Sequence, residues 1–78
     1  MNLADYFGLA IRRHRELLRL SQEELANRAN IDRTYISGVE RGARNPTLLV
    51  MQKIATALGS DLDVIFATAR EIAHAKES

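Results

Sequence analysis

Between Asp32 and Asn45 the chain reads DRTYISGVERGARN. On a helix turning about 100° per residue, Arg33, Thr34, Ser37, Gly38 and Arg41 share one side. Tyr35, Ile36 and Val39 take the other. The first group is cationic, hydroxylated or small. These are the side chains that donate hydrogen bonds to base edges and phosphates in a DNA major groove. Gly38 weakens such a helix by about 1 kcal/mol relative to alanine, which makes sense where the backbone must approach another surface closely. A plain solvated face with a tolerated glycine has the same pattern.

The elements that must position this face are all helical. No segment alternates with period two, and Gly and Pro fall between helical blocks. The first helix is expected from Leu3 to Leu18, with Phe7, Ala10, Ile11, His14 and Leu18 facing inward. The second runs from Gln22 to Ala29, started by a capping box of Ser21 and Glu24, with Leu25, Ala26 and Ala29 inward. The third runs from Arg33 to Arg41 with Asp32 as N-cap. The fourth follows Pro46, is capped by Thr47 and ends before Gly59, with Leu48, Met51, Ile54, Ala55 and Leu58 inward. The fifth is capped by Asp61 and starts at Leu62, and Leu62, Ile65 and Phe66 complete the core. The second and third helices are joined by only Asn30, Ile31 and Asp32. So tight a joint forces a steep crossing, with Ala26 small at the approach and Asn30 able to adopt the left-handed turn. The fold expected is an all-α, compact five-helix domain over residues 1–78, with a core at 8–67 and a tail of the fifth helix at 68–78.

With 78 residues, 46% hydrophobic and 27% charged, the composition is that of a small globular domain. So small a domain is marginally stable alone. There are no cysteines, and two His residues 60 positions apart make no metal cage. Association with a second copy is the support that remains. No apolar run spans a bilayer, and MNLADYFGLAIRR lacks a basic segment ahead of an apolar one, so a cytoplasmic location is expected. Residues 12–44 hold eight Arg and five acids, a net of +3, and the rest is −2. Arginine suits bidentate contacts to phosphate and guanine, although a salt-bridged helix surface has the same balance. No nucleophile–base pair is suggested and the carboxylates sit at caps and on solvent faces, so catalysis is not expected.

Residues 8–67 resemble the Xre/Cro-type helix-turn-helix family of phage and bacterial repressors. The segment SQEELA…IDRTYISGVERGARNPTL is particularly similar to the controller proteins of restriction–modification systems. The resemblance implies a lambda-repressor-like DNA-binding domain with its helix-turn-helix at the second and third helices. It further implies a homodimer on a near-palindromic, double-stranded DNA operator, the third helix being the recognition helix. It places Ser21 and Gln22 near a phosphate or an outer base, and Arg33, Thr34 and Ser37 at base-reading and adjacent backbone positions. Arg33 is then the candidate for a bidentate guanine contact. Tyr35 either reaches a phosphate with its hydroxyl or packs its ring on the second helix. Arg41, Arg44 and Asn45 lie along the DNA backbone, and Arg15 and Glu40 form a structural ion pair between the first and third helices. Occupancy near a promoter would block or recruit RNA polymerase. No cofactor, metal or small-molecule ligand is implied.

Three positions depart from the family pattern. Arg19 stands where the first helix often ends in Gly, Asn30 replaces the common turn Gly, and His14 occupies a core position. That His is either a packed, hydrogen-bonded residue or a pH-sensitive one. Leu49 and Val50, at positions of the fourth helix that are usually polar, are expected to be exposed and to mark a dimer interface. Ala69, Ile72 and Ala73 of the fifth helix are expected to extend it. Two other functions fit the same sequence. One is an antitoxin that binds a toxin through Thr68 to Ser78 as well as its operator; the other is a helical adaptor for proteins alone.

Overall fold

The computed structural model describes residues 1–77; Ser78, the end of the tail, lies outside them. Five helices follow in order: α1 (Leu3–Leu17), α2 (Gln22–Ala29), α3 (Arg33–Glu40), α4 (Leu48–Ala57) and α5 (Leu62–Glu77). No strand occurs among the described residues.

Local chemistry fixes most of the boundaries. At α2 the Ser21 hydroxyl accepts from the Glu24 backbone N–H at 3.0 Å, and Glu24 accepts from the Ser21 N–H at 2.9 Å. Asp32 accepts from the Thr34 N–H at 2.8 Å and Thr47 from the Val50 N–H at 3.2 Å. These backbone hydrogen bonds hold the Asp32 and Glu24 carboxyls below the ordinary carboxylate range. Asn2 and Asp5 form a further capping box that starts α1. Asn30 ends α2 in the left-handed region, at φ 56° and ψ 47°, as the tight joint requires. Arg19 also has a positive φ, 57°, so the departure from Gly at the end of α1 leaves a strained arginine.

The core is built from one apolar stripe per helix: Phe7, Ala10 and Ile11; Leu25 and Ala26; Ile36 and Val39; Ile54, Ala55 and Leu58; Ile65, Ala69 and Ile72. Phe66 packs on Phe7 with ring centroids 5.5 Å apart. His14 is half-buried, its Nε2 2.8 Å from the Thr68 hydroxyl. The same hydroxyl lies 3.2 Å from the Val64 carbonyl. The ring is thus packed and hydrogen-bonded between α1 and α5.

Several expectations about faces are corrected. Leu18 is the C-cap of α1 and lies outside the core. Leu48 is 69% exposed: the inner stripe of α4 runs through Val50, Met51, Ile54, Ala55 and Leu58, and Leu48 projects about 90° from its centre. The exposed apolar pair is therefore Leu48 and Leu49, not Leu49 and Val50, which packs on the core. Ala69 and Ile72, expected at a subunit interface, expose almost no surface for one. They are buried in the core of this chain, because α1 lies alongside α5 and covers them.

Candidate nucleic-acid interface

The outer face of α3 is held in place from behind. Ile36 and Val39 are buried, and at the far end Glu40 is buried as well, its side chain 4% exposed. Arg15 of α1 grips it bidentately, Nε to Oε2 at 2.7 Å and Nη2 to Oε1 at 2.9 Å. The same guanidinium donates to the Leu20 carbonyl at 2.8 Å, and the Gln22 amide of α2 donates to Glu40 at 3.0 Å. One carboxylate thus ties three helices together. The hydrogen bond to Glu40 is the main influence raising the Arg15 pKa, against the opposing effect of burial.

From this anchor the predicted contact residues can be placed. Arg33 and Thr34 are exposed at the leading end of α3, and their side chains have no hydrogen-bond partner among the described residues. Ser37 is half-buried behind them, and its hydroxyl accepts from Arg41 Nη1 at 2.6 Å. Arg44 and Asn45 are exposed on the loop after α3. Ser21 is exposed at the start of α2, its hydroxyl engaged as a cap. Gln22 differs from expectation: its amide is drawn inward to Glu40 rather than held out toward a phosphate. Ser21, Arg33, Thr34, Arg41, Arg44 and Asn45 are thus the exposed polar residues of the expected set.

Tyr35 is half-buried against the core, so its ring does pack inward. The Arg44 guanidinium carbon lies 5.7 Å from the centre of that ring, a cation–π contact. Gly38 is the main correction on this face. It is buried, not exposed, and the surface approaching it is the chain's own Arg44. A Cβ on Gly38 would stand 2.6 Å from Arg44 Cγ. The chain reaches that position because Gly42, at φ 74°, turns the loop back, and the Ala43 and Arg44 N–H groups both donate to the Gly38 carbonyl, at 2.8 and 3.2 Å. Helical periodicity places Gly38 on the polar side but carries no signal for a loop folding over it. No cluster of His, Cys, Asp or Glu among the described residues could hold a metal ion, and no helix there is long and apolar enough to cross a membrane.

Two short helices joined by a left-handed Asn, the second presenting exposed Arg and Thr, define a helix-turn-helix domain. Residues 11–65 match the family model described as Helix-turn-helix, and the chain belongs to that Xre-type family of DNA-binding transcriptional regulators. It is 41% identical over 61 residues to control protein C.MunI of Mycoplasma sp, covering 77% of this chain and 82% of that one. Among solved structures it is similar to the restriction–modification controller protein C.AhdI from Aeromonas hydrophila. That match has TM-score 0.78 and 42% identity, over 80% of this chain and 94% of the other. It is also similar to the controller protein C.Esp1396I, solved as a tetramer with its natural 35 base-pair operator. There the TM-score is 0.84 and the identity 34%, over 91% and 93% of the two chains.

Proposed function

We propose that this chain is a sequence-specific transcriptional regulator that binds a near-palindromic operator as a homodimer, in the manner of a restriction–modification controller acting on its own gene. The observation that carries this reading is the leading end of α3, where Arg33 and Thr34 stand exposed without side-chain partners among the described residues. Arg44 and Asn45 follow the phosphates and fix the register, while Arg33, Thr34 and Ser37 meet the bases. The chemistry is binding, not catalysis. Its outcome, in the cytoplasm where the operator lies, is RNA polymerase blocked or recruited at a neighbouring promoter. The controller identity of C.MunI and C.AhdI, and the operator-bound assembly of C.Esp1396I, support the reading. The antitoxin alternative is weaker, because Ala69 and Ile72 of the supposed toxin-binding tail are packed on the chain's own core.

The test is selection of bound duplexes from a random DNA pool at near-physiological salt. A two-fold symmetric motif should enrich, its half-sites about one helical turn, 34 Å, apart. If nothing enriches and binding vanishes with added salt, the arginines act only as a diffuse positive surface. On the selected operator, Arg33→Ala should lose about 1–3 kcal/mol at one base step and relax specificity there. Uniform weakening on every sequence would instead make Arg33 a phosphate contact.

Leu48 and Leu49 are 69% and 70% exposed and adjacent, which supports a dimer contact at the start of α4. Leu49→Glu should move the sedimentation profile from dimer to monomer and weaken operator binding accordingly. An unchanged profile would exclude this end of α4 from the interface.

A further inference from the structure

Arg44 is an exposed, long side chain on a loop, a setting in which arginine usually samples many rotamers. Here three contacts define its path. Its own N–H and that of Ala43 are tied to the Gly38 carbonyl. Its aliphatic stem lies across Gly38, with Cγ 2.6 Å, Nε 3.5 Å and Cδ 3.6 Å from where a Cβ would stand. Its guanidinium ends over the Tyr35 ring. No residue other than glycine at position 38 leaves that path open. The helix accepts a poor helix former in its last turn, and what occupies the vacated space is the stem of a cation bound for DNA.

We propose that Gly38 is a positioning residue for DNA binding: the absence of its side chain seats Arg44 so that the guanidinium is set beside the recognition helix before DNA arrives. The proposal rests on the reading of Arg44 as a phosphate contact. A side chain held near its bound path loses less rotamer freedom on association, so the seat raises affinity without touching DNA itself. It adds no base specificity, because the phosphate contact it prepares carries none.

Wild type, Gly38→Ala, Arg44→Ala and the double variant would be titrated onto a mixed-sequence duplex over a range of salt concentrations, with thermal melting of each protein alone. Gly38→Ala should melt at or above wild type, since alanine favours the helix and exposed Arg44 can swing away. Its affinity should nevertheless fall about three- to tenfold at a log–log salt dependence close to that of wild type, since Arg44 still reaches its phosphate, whereas Arg44→Ala should flatten that dependence by about one unit. In the Arg44→Ala background, adding Gly38→Ala should change nothing further. If Gly38→Ala binds as wild type while Arg44→Ala is weakened, Arg44 keeps its role and the seat does not matter. If Arg44→Ala itself leaves the salt dependence unchanged, the phosphate reading fails and the proposal with it. If Gly38→Ala weakens binding equally with and without Arg44, the glycine serves a direct approach of the α3 backbone to DNA. A Gly38→Ala protein that melts below wild type makes the glycine a packing requirement and overturns the positioning role.

Discussion

Replacing Glu40 with alanine should cost about 3–5 kcal/mol of folding stability, because it strands a charge inside the protein. The Arg15 side chain is only 12% exposed, and two of its three hydrogen bonds end on this carboxylate. Without Glu40 the guanidinium keeps the Leu20 carbonyl alone, and the Gln22 amide loses its acceptor. A domain of this length has in total about 4–12 kcal/mol. The variant should therefore be largely unfolded, or close to it, in a urea titration that leaves wild type folded. A loss under about 1 kcal/mol would mean that the pair behaves like an exposed surface bridge. Replacing Arg15 and Glu40 together with Met and Leu should recover much of the loss, since no charge is then left buried. Operator affinity need not recover with it, because α3 would have lost its anchor.

Gly8→Ala should be the second severe change, although alanine is the better helix former by about 1 kcal/mol. Gly8 lies where α1 crosses the end of α3. An added Cβ would stand 2.7 Å from the Glu40 carbonyl oxygen and 2.9 Å from its carbon, and would also strike the Val39 carbonyl oxygen. These are backbone atoms that cannot rotate away, so the helices must separate. Ile36 and Val39 of α3 would then lose packing against the buried residues of α1. Overpacking of this kind costs about 1–3 kcal/mol and sometimes more. At about 4–8 °C per kcal/mol for so small a domain, the melting temperature should drop by about 10 °C. A variant that melts higher than wild type would show slack between α1 and α3.

The contrast between Gly8 and the caps shows what the sequence makes legible. Ser21, Asp32 and Thr47 act on N–H groups two or three residues away, so their role can be read from a short window. Asn30 is similarly local, because a three-residue joint leaves few backbone paths. Gly8 meets residues more than thirty positions away, and nothing in its own neighbourhood announces them. Ala69 and Ile72 follow Ile65 at spacings of four and seven, so an apolar stripe is legible. Whether such a stripe meets the same chain or another copy depends on how far α1 extends beside it. On the interface, the residue types of α3 are local information. The inward turn of Gln22 and the fold-back of Arg44 depend on partners, Glu40 and Gly38, that only the assembled helices bring within reach.

The clamp on Glu40 also makes α3 a short cantilever. Behind Ile36 and Val39 it is clamped at its last residue, and Arg33, proposed to meet a base, sits at the opposite end, about 10 Å away at 1.5 Å per residue. A tilt of about 5° about the fixed end therefore moves Arg33 by about 1 Å, enough to stretch a good hydrogen bond into a poor one. If Arg33 meets a base as proposed, the fidelity of that contact depends on the stiffness of the joint at Glu40. Softening that joint, even in a protein that remains folded, should blur the choice among operators before it weakens the hold on DNA in general.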